Sequence, residues 1–213
     1  MRTRTFSAVA AFIVVLTVAL TIASSPARSS SPARGIPDVT TLFRQAVNLV
    51  RATQPPRFAN AVVLEADGIT RGGGCNLQGC FGGRGVTSAA GVVAWRFVFN
   101  NQASSRKIRS ATIYYGPAPK RFGRLTAYGA PFLDDVDIAK PPRMTLAQAL
   151  ALVRRAGHRG KFFDVTLRNP LGPKRLNPMY IFGFANSFVG VDTVTKKVHP
   201  LATSVGSSGH VKG

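Results

Sequence analysis

Leu146, Ala149, Leu150 and Val153 fall at i, i+3, i+4 and i+7, so the stretch from Thr145 to Arg155 predicts an amphipathic helix with one apolar stripe to bury. Thr145-Leu-Ala-Gln148 opens it as a capping box, in which the hydroxyl and the amide side chain each answer an N–H that the helix start leaves unpaired. Arg154 and Arg155 stand in the last turn, where the helix dipole favours cations, and Gly157 suits a left-handed cap. Phe162 to Arg168, Met179 to Phe184 and Phe188 to Thr195 follow, each short, rich in β-branched or aromatic residues and bounded by Gly, Pro or Asn, which predicts three strands. Tyr180, Phe182 and Phe184 alternate onto one face, and Ala185-Asn186-Ser187 is short enough to make the last two strands a hairpin.

The same order occurs upstream. A helix from about Thr41 to Thr53 is stopped by Pro55-Pro56, and strands are predicted at Asn60 to Glu65, Val92 to Phe99 and Ile108 to Tyr115, with Val93, Trp95, Phe97 and Phe99 on one face. Gln45-Ala46-x-x-Leu49-Val50-Arg51 returns as Gln148-Ala149-x-x-Leu152-Val153-Arg154, and at the same offset of 103 positions Val62-x-Leu64 returns as Val165-x-Leu167. Trp95-x-Phe97-x-Phe99 is answered by Tyr180-x-Phe182-x-Phe184 at a shorter offset. The pattern predicts an α+β fold of two tandem repeats, each one helix packed on a three- to four-stranded antiparallel sheet. Leu49, Val50, Trp95 and Phe97 are expected in one core, and Leu150, Val153, Tyr180 and Phe182 in the other.

The first repeat is bounded at residues 39–116, with a Gly/Cys insertion at 66–91; a Gly/Pro-interrupted connection spans 117–142, the second repeat 143–202 and a small, polar tail 203–213. At the other end, Arg2 and Arg4 precede an uncharged run from Phe6 to Ala23, so residues 1–23 read as a signal peptide or an uncleaved signal anchor. Residues 24–38, rich in Ser, Pro and Arg, read as an extended spacer. Either outcome places the body outside the cytoplasm, secreted or tethered. The formal charge of +20 arises from 28 Lys and Arg against only 8 Asp and Glu. A surface this basic attracts polyanions. Outside a cell these are anionic lipid, wall polymers and acidic proteins rather than ordered nucleic acid.

Phe188-Val189-Gly190-Val191-Asp192-Thr193-Val194-Thr195-Lys196-Lys197-Val198 resembles the closing strand and turn of PepSY-type domains, which end in an aromatic-rich strand followed by V-D-A-x-T-G-x-V. The Ala-spaced helix and the aromatic central strand are similar as well. Lys196 stands where that family prefers Gly, and Ile108 to Tyr115 lacks the Asp and the Thr-Gly turn. The resemblance covers residues 144 to 201, and 40 to 116 only through the repeat. It implies a cystatin-like or PepSY-like arrangement in a small extracytoplasmic module of propeptides and envelope proteins, which binds or restrains a partner such as a protease.

Cys75 and Cys80 are the only cysteines, and an even count in an exported chain predicts a disulfide. The glycines around them could converge backbone N–H groups on an anion between Arg71 and Arg84. Lys120, Arg121 and Arg124, with Phe122 and Tyr128 nearby, form a basic and aromatic cluster suited to an anionic partner. His158, His199 and His210 fall in turns or a tail, and Asp134, Asp135 and Asp137 read as a solvated turn, lacking the other positions of an EF-hand loop. No catalytic, cofactor-binding or metal-ligating set is predicted. The expectation is a non-catalytic binding module whose partner is an envelope or secreted protein, or an anionic wall or membrane polymer. The alternatives are a polyanion binder that uses its whole basic surface, and a small enzyme on a cystatin-like fold, against which stands the scarcity of Asp, Glu and His within the predicted strands.

Overall fold

The computed structural model describes residues 35–53, 58–76, 79–101, 109–116, 119–133, 135–172 and 176–201. The predicted leader, the spacer up to Arg34 and the 203–213 tail lie outside the described residues. The order of elements is α1 (Val39–Thr53), β1 (Ala61–Thr70), β2 (Gly74–Asn76), β3 (Gly79–Phe81), a 3-10 turn (Ala89–Gly91), β4 (Val92–Asn101), β5 (Ser110–Tyr115), β6 (Thr126–Tyr128), α2 (Leu146–Arg155), β7 (Phe162–Arg168), β8 (Met179–Phe184), β9 (Ser187–Asp192) and β10 (Val198–Leu201).

Eight strands form one antiparallel sheet in the order β10-β9-β8-β7-β1-β4-β5-β6, and β2 and β3 make a separate hairpin. Two cores were expected, and one is found. Pairing of β1 with β7 joins the halves edge to edge, and Trp95, Phe97, Tyr180 and Phe182 belong to a single apolar cluster with Val50, Leu150 and Val153. The join satisfies two strand edges that would otherwise present unpaired N–H and C=O groups. It also demands small residues at the seam. Gly68 pairs with Trp95 on one side and Val165 on the other, and a Cβ there would stand 2.7 Å from Val165 Cγ1 and 3.1 Å from the Trp95 ring.

α1 buries Val39, Leu42, Phe43, Ala46 and Val50, and α2 buries Leu146, Ala149, Leu150 and Val153. Leu49, expected in the core, is 37 % exposed, because the stripe of α1 runs from Ala46 to Val50 and leaves the preceding position outside. The capping box of α2 forms as predicted, with Gln148 N donating to Thr145 Oγ1 and Thr145 N to Gln148 Oε1. Asp38 serves both helices: its carboxylate accepts from Thr40 N at 2.9 Å and from Leu146 N at 3.1 Å.

The offset of 103 does not carry into the strands. A bulge interrupts β1 between Val63 and Glu65, with Val63 opposite Phe99, and another interrupts β7 between Phe162 and Asp164, with Phe162 opposite Phe184. Val63 and Phe162, 99 positions apart, thus occupy matching places beside the aromatic strands, whereas Val62-x-Leu64 and Val165-x-Leu167 do not. β1 also continues to Thr70, beyond its expected end at Glu65. Beyond Asp192 the predicted last strand turns at Thr193–Thr195, and β10 follows. The connection contains the short edge strand β6.

Candidate functional site

Two places on this frame concentrate polar chemistry. The first is the sheet face turned away from the helices. Glu65 and Asp67 are two residues apart on β1 and so share that face, Arg96 lies opposite Asp67 on β4, and Arg168 lies opposite Glu65 on β7. Arg96 Nε donates to Asp67 Oδ2 at 2.7 Å and its Nη2 to Glu65 Oε1 at 2.8 Å. Its Nη1 donates to the Asn76 carbonyl of the β2–β3 hairpin, which lies over the cluster. Asp67 and Arg96 are only 2 % and 1 % exposed. Arg168 turns to Asp135, donating from Nε to Oδ1 at 2.8 Å.

One guanidinium beside two carboxylates leaves a negative charge in excess in a buried site, and a proton compensates. Burial, then the charge of Glu65, push the Asp67 carboxyl up to about 8 against the pull of Arg96. Asp67 therefore holds a proton near neutrality. Burial likewise raises Tyr114, next to Arg96 across β4 and β5, and raises Asp164, which accepts from Gly183 N. Raised carboxyls are what a general acid requires. Here, however, the guanidinium and the hairpin close over Asp67, and a substrate would first have to displace them.

The second place is an open cleft of about 890 Å³ between the outer side of α2 and the turn that joins β9 to β10. Lys140, Arg143, Arg155 and Lys196 line it together with apolar Leu152 and Val194, and among the described residues no acidic side chain does. All four cations are exposed, and none makes an ion pair among the described residues. Asp192 builds the turn. Its Oδ1 accepts from Val194 N and Thr195 N, each at 2.8 Å, and Asn177 Nδ2 donates to its Oδ2. These donors outweigh burial and hold its carboxyl below the usual range. The turn presents Val194, 65 % exposed, and Lys196, whose φ of 62° lies in the left-handed region.

The residues singled out in the sequence are dispersed. Cys75 and Cys80 form the predicted disulfide, as a directly opposed pair in the β2–β3 hairpin. Arg71 and Arg84 are exposed at the base of that hairpin, where Arg84 N donates to the Arg71 carbonyl. The glycines there serve close packing: a Cβ on Gly73 would lie 2.3 Å from the Gly82 carbonyl oxygen, and one on Gly83 2.2 Å from Thr70 Oγ1. Lys120, Arg121 and Arg124 are exposed beside the end of β5, but Phe122 turns inward onto Tyr115, at 5.1 Å between ring centroids, and is lost to any ligand. None of these five cations lines the cleft. Asp135 is buried against Arg168 rather than solvated, and Asp134 lies outside the described residues. Glu65, Asp164 and Asp192 stand in strands as their predicted positions imply, and Asp67 joins them because β1 runs on to Thr70. The alternation Glu65-x-Asp67 opposite Arg96 was the available signal.

No protein-family model, no curated protein and no solved structure matches this chain.

Proposed function

We propose that this chain is an exported, non-catalytic binding module of the bacterial envelope, built from a duplicated PepSY-like unit, which inhibits or senses a partner. The observation that carries the proposal is the cleft beside α2, where four cations without an ion pair among the described residues meet exposed Val194 and half-buried Leu152 on the half that resembles PepSY-type domains. The duplication is supported by a strand order that reads alike outward from β1 and β7, and by bulges at matching places in those two strands. The non-catalytic reading is supported by the closure of the Asp67 cluster under Arg96 and the hairpin.

Crosslinking in the native envelope, with mass spectrometry of what is captured, tests this reading. A saturable adduct with a protein or a wall polymer supports it. Substrate turnover abolished by one Asp or His substitution replaces it with the enzyme reading. A second reading, polyanion binding by the basic surface at large, draws on the exposed Arg71, Arg84, Arg121 and Arg124, spread well apart from the cleft. It requires steep loss of binding with salt and indifference to partner identity.

A further inference from the structure

The cleft's own chemistry narrows what enters it. We infer that it receives an acidic segment of a partner protein, carrying carboxylates that meet Lys140, Arg143, Arg155 and Lys196 and at least one apolar side chain that packs against Leu152 and Val194. This inference rests on the binding-module reading and adds the partner's chemistry to it.

Charge complementarity selects the occupant. A cleft ringed by four cations without an acid repels a basic segment and is left uncompensated until carboxylates or phosphates arrive. Residues 1–34 and 202–213 contain no Asp or Glu and so offer the cleft no carboxylate. A second copy is a poor occupant because few of its acids are available, and Asp137 too has a partner within the fold. Of the eight acidic residues, Asp38, Glu65, Asp67, Asp135, Asp164 and Asp192 are engaged within the fold. A bare phosphate polymer would satisfy the cations but leave the exposed apolar wall wet, whereas a peptide carries both groups on one backbone. The volume lies at the upper end of the roughly 300–1,000 Å³ typical of ligand clefts.

Lys196 supplies an independent observation. The tight turn closing β9 and β10 places residue 196 at φ 62°, where an L side chain is strained and glycine is not. A lysine there, among the residues that line the cleft, is strain held at a recognition site. Folding favours glycine at this position, and binding favours lysine.

The test is selection of random displayed peptides on the immobilised wild-type protein and on Arg143→Ser/Arg155→Ser and Lys196→Gly variants. Peptides enriched on wild type are expected to combine Asp or Glu with apolar residues and to lose about tenfold or more in affinity on the double variant. Lys196→Gly is expected to weaken the same peptides roughly threefold while its melting temperature stays the same or rises by about 2–4 °C. Enriched peptides that are not acidic, or that bind the double variant equally well, overturn the inference. So does full competition by inorganic polyphosphate or by vesicles of anionic lipid at equal charge. If Lys196→Gly melts lower than wild type, lysine is there for the fold and the rim argument fails. A partner still captured in the envelope by the double variant would leave the binding-module reading standing and remove only the cleft. Absence of any captured partner would remove both.

Discussion

Asp67 keeps its proton up to about pH 8 in the folded chain, whereas the unfolded carboxyl releases it near 3.8. The contribution to stability is therefore complete below about pH 4 and is lost as pH rises through about 8, because over that interval the native state binds the extra proton. Asp67→Asn removes the titration, and the denaturation midpoints of that variant at about pH 5 and about pH 8.5 should differ less than those of wild type. Arg96→Met should cost about 3–5 kcal/mol, since it strips the buried cluster of the one cation that Asp67 and Glu65 share. Asp38→Ala strips a cap from both helices and should cost about 1–2 kcal/mol in chemical denaturation. Little of this was legible in the sequence. Residues 66–91 read as a Gly/Cys insertion, so β1 was expected to stop at Glu65. The strand continues because Gly68 is needed beneath Trp95 and beside Val165, a requirement set by residues far away in the chain.

At the scale of elements, patterning served well where contacts are local. α2, its capping box, β7 and β8 stand where the apolar spacing and capping residues put them. The disulfide was also legible, from the even count taken together with the expected export. What it staples was not, because the hairpin's place over Arg96 depends on the Asn76 carbonyl meeting a side chain 20 residues on. Reduction should destabilise the hairpin by about 2 kcal/mol on the chain-entropy account. Hydrogen exchange in reduced protein should accelerate in β2, β3 and the β1 amides beneath them, while α1 keeps its protection. Unchanged exchange in β1 would mean that the hairpin does not hold the cluster closed.

For the whole molecule, the repeat in the helices pointed to two units, yet the join between β1 and β7 links segments about a hundred residues apart and leaves no local trace. The shared core predicts one cooperative unfolding transition, and two separated transitions by fluorescence and by far-UV signal would contradict it. The cleft was equally hidden. Lys140, Arg143, Arg155 and Lys196 are scattered in sequence and meet only when the turn after β9 packs beside α2. The claim that recognition occurs there is tested most directly by placing a photo-reactive side chain at Val194 and, separately, at Arg124, and illuminating the protein in the cells that produce it. The account predicts a discrete protein adduct from position 194 that disappears when Arg143 and Arg155 are replaced by Ser, with none from position 124. An adduct from position 124 alone, or one from position 194 that survives the charge replacement, would contradict it.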